Sequence, residues 1–169
     1  MTKIINLYAG PSAGKSTTRA GLFHEMKLLG LNVEEVPEYA KDLTWEKRLN
    51  TLQCQPYVFG KQLYRIYRLL GQVEYIITDS PLLLSIVYSK EWPQSFKQSV
   101  IDIYEQMDNF DFFIVRSKSY NSVGRNQTEL EAIQLDNQIY DIIQKYSTGF
   151  DIITGDKNAP KKILETLDL

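Results

Sequence analysis

Apolar residues are distributed along this chain in two different patterns. Short runs of apolar residues predict buried strands at residues 3–8, 32–36, 73–78, 110–115 and 150–154. Longer segments, in which apolar residues recur every three or four positions, predict helices at residues 15–29, 57–70, 81–89, 96–107, 128–146 and 159–167. Thr128 stands three residues before Glu131, which predicts a capping box at the start of the longest of these helices.

The regular alternation of strands and helices predicts an α/β fold. Strands that are buried on both faces and joined by helices form a mostly parallel sheet, here of about five strands, with helices on each side. Ligands of such sheets bind at the carboxyl ends of the strands. We therefore expect functional residues directly after Tyr8, Val36, Thr78 and Val115.

Length and composition fit a single domain over residues 1–169. With only one cysteine, Cys54, and one histidine, His24, the chain has no internal disulfide, no cysteine-built metal cage and no multi-histidine metal site. A formal net charge of −2 argues against a protein held on DNA mainly by its overall charge, but it is compatible with a local basic groove. No apolar run is long enough to cross a bilayer, so we expect a cytoplasmic protein without a signal peptide or a membrane anchor. Trp45 and Trp92 are assigned to packing.

The segment directly after the first strand has the composition of a phosphate-binding loop. It reads Ala-Gly-Pro-Ser-Ala-Gly-Lys-Ser-Thr over residues 9–17, and the next helix begins inside it. In such a loop, backbone N–H groups and a helix N-terminus surround a phosphate, a lysine reaches the outer phosphates, and a serine hydroxyl binds magnesium. Ala9 takes the place of the first glycine in the usual spacing. The residues predicted to bind the nucleotide are Gly10, Pro11, Ser12, Ala13, Gly14, Lys15, Ser16 and Thr17.

Two carboxylates follow neighbouring predicted strands. Glu38 and Tyr39 come after the second strand, where Glu38 is a candidate general base or sugar ligand and Tyr39 a candidate stacking partner for a base. Asp79 directly follows the third strand, and an aspartate at this place in a phosphate-loop protein commonly lies near magnesium. Asp79 is also a candidate for the general base, so the choice between the two carboxylates stays open. The predicted metal ligands are Ser16 and Asp79.

A basic face is predicted on the helix at residues 57–70. Lys61, Arg65 and Arg68 are spaced by four and three residues and therefore share one side of the helix. They are candidates to hold an acceptor phosphate or the backbone of a nucleic acid, and the plain alternative is a solvated surface. Gln62 is a weaker candidate for a base or sugar contact.

The polar loop after the fourth strand predicts a lid at about residues 116–128. Arg116 and Arg125 would neutralise the charge of a transferring phosphoryl group, and closure would exclude water. Arg125 stands next to the longest helix and is the better anchored of the two. After the last strand, residues 155–159 are candidates to border an adenine.

Taken together, these motifs resemble those of small AAA-type P-loop kinases carried by bacteriophages. Such kinases are similar to the ribosylnicotinamide kinase domain of bacterial NAD-synthesis regulators and, more distantly, to nucleoside and nucleotide monophosphate kinases. The resemblance covers essentially the whole chain. It rests on the phosphate-binding loop, Pro37-Glu38-Tyr39-Ala40, the helix that bears Gln62, Thr78-Asp79-Ser80-Pro81 and Gly124-Arg125-Asn126-Gln127-Thr128.

The resemblance implies a three-layer P-loop NTPase sandwich with an arginine lid, ATP and Mg²⁺ as cofactors, and transfer of the γ-phosphoryl group. Matched position by position, it implies catalytic roles for Lys15, Glu38, Asp79 and Arg125. Asp79 and Ser80 depart from the Glu-Arg-Ser signature of deoxynucleoside kinases, which argues against a simple deoxynucleoside kinase.

The leading hypothesis is an ATP-dependent kinase of a nucleoside or nucleotide, acting in the host cytoplasm if the protein comes from a phage. An alternative is a kinase that phosphorylates 5-hydroxymethyluracil within phage DNA, because the same carboxylates suit a hydroxyl acceptor and the basic helix face suits DNA. A further alternative is a P-loop ATPase or switch without an acceptor. The sequence leaves open the acceptor, the preference for ATP or GTP, and the oligomeric state.

Overall fold

The computed structural model describes residues 1–117 and 128–169 and confirms the α/β fold. Its described part contains a sheet of five strands, all parallel, in the order β2-β3-β1-β4-β5. The central strand β1 pairs with β3 on one side and with β4 on the other, so the loop after β1 lies in the middle of the carboxyl edge. The strands are β1 (Lys3–Tyr8), β2 (Val33–Val36), β3 (Tyr75–Thr78), β4 (Asp108–Val115) and β5 (Phe150–Thr154).

Helices connect these strands, and two of them were not predicted from the sequence. The described helices are α1 (Lys15–Leu28), α2 (Tyr39–Trp45), α3 (Leu49–Gln53), α4 (Gln55–Tyr67), α5 (Leu84–Tyr88), α6 (Gln94–Glu105), α7 (Glu129–Tyr146) and α8 (Ala159–Thr166). The unpredicted helices, α2 and α3, are too short to show helical periodicity. Between them they bury one side chain, Leu43, so no apolar stripe marks them in the sequence.

Helices cover both faces of the sheet and produce two separate apolar cores. On one face, α1 and α8 pack against the sheet through side chains such as Leu22, Met26 and Ile163. On the other face, helices α4 to α7 contribute side chains that include Ile66, Val100 and Ile139. This arrangement leaves the carboxyl ends of the strands open between the two helical layers.

The edge strand β5 differs from the expectation that every strand is buried on both faces. Only Ile153 of this strand is buried, and Ile152 is 57% exposed. The cause is the position of β5, which pairs with β4 alone and lies at the edge of the sheet. A strand at an edge can leave part of its surface in contact with water.

The capping box at the start of α7 is confirmed. Thr128 Oγ1 accepts a hydrogen bond from Glu131 N at 3.3 Å, and Glu131 Oε2 accepts one from Thr128 N at 2.7 Å. These hydrogen bonds to Thr128 lower the pKa of the Glu131 carboxyl. The box therefore fixes the start of a long helix that reaches back to the loop after β1. No helix in the described residues has the length and apolar character needed to span a membrane.

Candidate functional site

The β1–α1 loop, residues 9–14, turns sharply where the chain leaves the central strand and enters α1. Ser12 has φ 66° and Gly14 has φ 102°, both in the left-handed region. Glycine adopts this region freely, whereas for serine the conformation costs about 1 kcal/mol. Backbone strain of this kind is concentrated at ligand sites. Gly14 is the N-cap of α1, so the loop ends at the positive end of this helix.

Lys15, the first residue of α1, folds back over the β1–α1 loop. Its Nζ donates hydrogen bonds to Ala9 O at 2.6 Å and to Gly10 O at 3.0 Å. The ammonium group therefore lies against the start of the loop while its backbone belongs to the helix. An anion bound in the loop would meet both this charge and the helix N-terminus.

Helix α7 holds the start of the β1–α1 loop through Asp136. Asp136 Oδ1 accepts a hydrogen bond from Gly10 N at 2.5 Å, and Asp136 Oδ2 forms an ion pair with Arg116 Nη2 at 2.7 Å. Arg116 Nη1 also donates to Pro11 O. Arg116, predicted as a nucleotide contact, thus contacts the loop backbone in this structure. Asp136 was not predicted from the sequence, because no motif distinguishes a single acidic residue in a long helix from one that is exposed to solvent.

The segment between β5 and α8 supports the same loop from another side. A Cβ atom on Gly155 would lie 2.3 Å from Ala13 O and 2.8 Å from Ile114 Cγ2, so only glycine fits there. Ser117 Oγ donates to Gly155 O at 2.7 Å. The structure therefore places the first residue of the predicted adenine-bordering segment directly against the β1–α1 loop.

Ser16 and Asp79 meet beside the loop, as the sequence predicted for neighbouring strand ends. Ser16 Oγ donates to Asp79 Oδ2 at 2.6 Å, and Arg19 Nη1 lies 3.3 Å from Asp79 Oδ1. Asp79 is 2% exposed, and Arg19 also forms an ion pair with Glu35 at 3.3 Å. Neither Arg19 nor Glu35 was singled out from the sequence.

The oxygen atoms of Ser16 and Asp79 fit one side of a magnesium site. Hydroxyl and carboxylate oxygens are the ligands that Mg²⁺ prefers, and in nucleotide sites phosphates and water usually complete its coordination. Within residues 1–117 and 128–169, no group of three or more histidine, cysteine, aspartate or glutamate side chains is placed to hold a metal ion. These two oxygen atoms could supply part of the coordination of a metal, and other groups would have to complete it.

A cavity of about 310 Å³ extends from the β1–α1 loop toward the second strand. Glu38, at the start of α2, lies in its wall, so this predicted residue shares one space with the loop. Trp45 also lines the cavity and is 63% exposed, which corrects its assignment to packing. The remaining wall is contributed by α2, α3, α4 and α5 and includes Ala40, Thr44, Leu52, Gln55, Val58, Leu84, Ser85 and Tyr88.

Tyr88 adds a phenol to this cavity near the carboxylate of Glu38. Partial desolvation of the phenol by the surrounding protein is the main cause that raises the pKa of Tyr88 above its ordinary value of 10.0, and the negative charges of Glu38 and Asp136 add to it, although 42% of the residue remains exposed. The phenol therefore stays neutral at physiological pH. Its hydroxyl group is available there as a hydrogen-bond donor as well as an acceptor.

The predicted basic helix face lines a second pocket, on the other side of α2. Lys61, Arg65 and Arg68 surround this pocket of about 530 Å³ together with Tyr39. Arg65 forms an ion pair with Asp42 at 2.6 Å, and its guanidinium lies 5.0 Å from the centre of the Tyr39 ring. These predicted residues are thus brought together with each other, and α2 separates them from the cavity at the β1–α1 loop.

Gln62 serves the fold at this point. It is 4% exposed, its Oε1 accepts from Tyr39 N at 3.0 Å, and its Nε2 donates to Thr78 Oγ1 at 3.3 Å. The side chain therefore ties the start of α2 to the end of β3. Arg125 and most of the predicted lid lie outside the described residues.

A comparison of the chain with models of known protein families and with curated proteins finds no match. The candidate function is therefore inferred from the site residues themselves.

Proposed function

We propose that this protein is an ATP-dependent phosphotransferase of the P-loop class that transfers the γ-phosphoryl group of ATP to a nucleoside or nucleotide. The observation that supports it best is the cavity shared by the β1–α1 loop and Glu38. A donor phosphate in the loop and an acceptor beside Glu38 would meet inside one enclosed space. Phosphoryl transfer depends mainly on such positioning and on electrostatic stabilisation.

The donor side of the proposal uses the β1–α1 loop as a phosphate-binding loop. The backbone amides of the loop and the N-terminus of α1 would hold the phosphates, and Lys15 would exchange its carbonyl partners for phosphate oxygens. Mg²⁺, bound together with ATP, would neutralise phosphate charge beside Ser16 and Asp79. The left-handed conformations at Ser12 and Gly14 support this assignment, because they shape the loop before any ligand is bound.

The two predicted carboxylates take different roles in this proposal. Asp79 is buried and already hydrogen-bonded to Ser16, which suits a residue on the metal side. Glu38 faces the cavity and is the carboxylate that an acceptor would reach, so we assign it the role of general base for a hydroxyl acceptor. Tyr88 could donate a hydrogen bond to the same acceptor.

The chemistry of the cavity wall favours a small acceptor with an aromatic ring. Trp45, Leu52 and Val58 provide apolar surface, and Gln55 and Ser85 add polar groups among them. A wall that combines apolar surface with polar groups can bind a small molecule that has both kinds of surface, and the cavity volume falls at the lower end of the range for small-molecule sites. A nucleoside has this combination of a flat ring and hydrogen-bonding groups.

An acceptor within DNA is the second candidate, and the second pocket favours it. Lys61 and Arg68 are exposed there, and Tyr64, which lines the same pocket, is 66% exposed. Cationic and aromatic side chains on one surface suit a nucleic-acid backbone and its bases. The predicted arginine lid would serve either acceptor.

The test is transfer of label from γ-labelled ATP to a panel of acceptors. The panel holds nucleosides, nucleoside monophosphates, nicotinamide riboside, and DNA with and without 5-hydroxymethyluracil. Label on a small molecule, with turnover unchanged in Arg68→Glu, supports the leading proposal. Label on modified DNA alone, with affinity lost in Arg68→Glu, selects the second candidate. Release of free phosphate without any labelled acceptor would contradict both.

A further inference from the structure

Arg19 connects two carboxylates beside the candidate metal ligands. Its Nη1 lies 3.3 Å from Asp79 Oδ1 and its Nε lies 3.3 Å from Glu35 Oε2. We propose that Arg19 is the resident counter-ion of Asp79 and makes the binding of a divalent cation at this carboxylate depend on the nucleotide. The roles of cation and nucleotide in this inference rest on the proposed function.

The position of Arg19 follows from the local structure. Arg19 stands three residues after Ser16 on α1, so both side chains reach the same side of the helix. The two side chains contact different oxygen atoms of the Asp79 carboxylate: Ser16 contacts Oδ2 and Arg19 contacts Oδ1. Glu35 comes from β2, which pairs with β3 directly before Asp79. The guanidinium thus lies between two carboxylates, one from β2 and one from the segment directly after β3.

The charges around Asp79 determine how strongly a cation can bind there. Asp79 and Glu35 carry two negative charges, and Arg19, which contacts both carboxylates, supplies a positive charge between them. The Arg19 side chain is only 13% exposed and that of Asp79 only 3%, so solvent screens their interaction weakly. A cation that arrives alone therefore finds a carboxylate whose charge is already compensated, and Mg²⁺ gives up its water reluctantly.

A bound nucleotide changes this balance. Its phosphates would bring several negative charges to the β1–α1 loop and engage Lys15, so the net charge around Ser16 and Asp79 becomes strongly negative. The attraction of a divalent cation to the phosphates and to Asp79 would then exceed its repulsion by Arg19. Arg19 would meanwhile keep Oδ1 of Asp79 occupied and leave Oδ2 directed toward Ser16. In this role Arg19 is a positioning residue that does not need to touch the substrate.

Binding of Mn²⁺, used as a paramagnetic substitute for Mg²⁺, tests the inference. We expect the wild-type protein to bind Mn²⁺ weakly alone and at least about tenfold more tightly with a non-hydrolysable ATP analogue. In Arg19→Met, binding of Mn²⁺ alone should tighten by about tenfold or more, because two carboxylates lose their counter-ion. Arg19→Lys should restore the wild-type dependence on nucleotide.

Further variants separate this effect from a general loss of structure. Arg48→Met is the matched control, because it removes an arginine from an exposed ion pair with Glu46 and should leave Mn²⁺ binding unchanged. Adding Asp79→Asn to Arg19→Met should abolish the gained binding. Thermal melting with and without Mn²⁺ gives a second readout, in which the cation alone should stabilise Arg19→Met but not the wild type.

Two results would overturn the inference. One is tight binding of Mn²⁺ to the wild-type protein without nucleotide, which can be measured even if Arg19→Met does not fold. The other is a folded Arg19→Met variant that binds Mn²⁺ alone no better than the wild type. Failure of the proposed function would give a different result. The wild type would then bind no ATP analogue, whereas Arg19→Met would still bind Mn²⁺ more tightly than the wild type does.

Discussion

Ser16 Oγ lies 2.6 Å from Asp79 Oδ2, which joins the first turn of α1 to the carboxyl end of β3 across 63 positions of the chain. The contact exists because β1 and β3 are parallel neighbours, so the segments that follow them meet at one edge of the sheet. A hydroxyl and a buried carboxylate are thereby held together beside the β1–α1 loop.

Asp79→Asn tests this relationship. The amide keeps the size of the side chain but removes the negative charge, so we expect turnover to fall by about 100-fold or more while the affinity for metal-free ATP changes little. Steady-state kinetics at several Mg²⁺ concentrations would measure the loss. Asp151→Asn on the exposed edge strand is the control and should behave as wild type. A fully active Asp79→Asn variant would show that this acid is only structural.

Lys15→Ala removes the cation that folds back from the start of α1 over the loop. We expect phosphoryl transfer to fall by about 100-fold or more, because the ammonium group that lies against the Ala9 and Gly10 carbonyls is the charge that would meet the phosphates. The fold should survive, as judged by circular dichroism. Lys27→Ala is the matched control on the same helix, since Lys27 is exposed and pairs only weakly with Glu34. Near-normal turnover in Lys15→Ala would contradict the site assignment.

Glu38→Gln separates the acceptor side of the cavity from the donor side. If Glu38 takes a proton from an acceptor hydroxyl, kcat should fall by about 100-fold while the KM for ATP stays near its wild-type value. Glu34→Gln is the control, because Glu34 belongs to the neighbouring strand and does not line the cavity. Unchanged kcat with a hydroxyl acceptor would exclude the role.

The strand and helix pattern predicted the sheet and the principal candidate residues. Apolar runs located each strand, the loop motif pointed to Lys15 and Ser16, and the rule that ligands meet strand ends pointed to Asp79. The prediction of the parallel sheet succeeded because it depends on local composition and on the alternation of strands and helices, whereas the roles of these residues stay predictions. The capping box at Thr128 was predictable for the same reason, since its residues are three positions apart.

Other parts of the site depend on packing between distant segments. Asp136 accepts from Gly10 across 126 positions, and nothing in the composition of α7 marks that acid. Arg19 acquires two carboxylate partners only when α1 lies across β2 and β3. Trp45 lines the cavity because it lies at the end of α2, a helix too short to be recognised from the sequence pattern. Such contacts are properties of the assembled fold rather than of any segment.

Gly155→Ala tests the support of the β1–α1 loop from the β5–α8 side. The new Cβ atom would lie 2.3 Å from Ala13 O, so backbone must move and the free energy of unfolding should fall by about 1–3 kcal/mol. Affinity for ATP should fall as well, because the displaced backbone belongs to the loop. Urea unfolding and a nucleotide titration measure the two effects. Gly149→Ala is the matched control, since its Cβ would meet nothing within 4 Å.

A buried carboxylate away from the candidate site makes the free energy of unfolding depend on pH. Asp111 is 3% exposed, accepts a hydrogen bond from Asn6 Nδ2 at 2.8 Å, and accepts another from the Tyr104 hydroxyl. Burial raises the pKa of Asp111 above its ordinary value of 3.8, and hydrogen bonds from Ser147, Tyr104 and Asn6 oppose this only in part. The folded protein therefore holds this proton more tightly than the unfolded chain does.

Asp111→Asn should remove that pH dependence. Because unfolding releases the Asp111 proton, the free energy of unfolding of the wild type should carry a contribution that falls as the pH rises above 3.8 and levels off once the folded carboxyl is ionised. The variant should lack this fall, so the difference between the two proteins, measured by urea unfolding at several pH values, isolates it from all other titrating groups. Asp151→Asn, at an exposed carboxyl, should keep the wild-type slope. Parallel slopes for the wild type and Asp111→Asn would show that burial does not raise the pKa of this carboxyl.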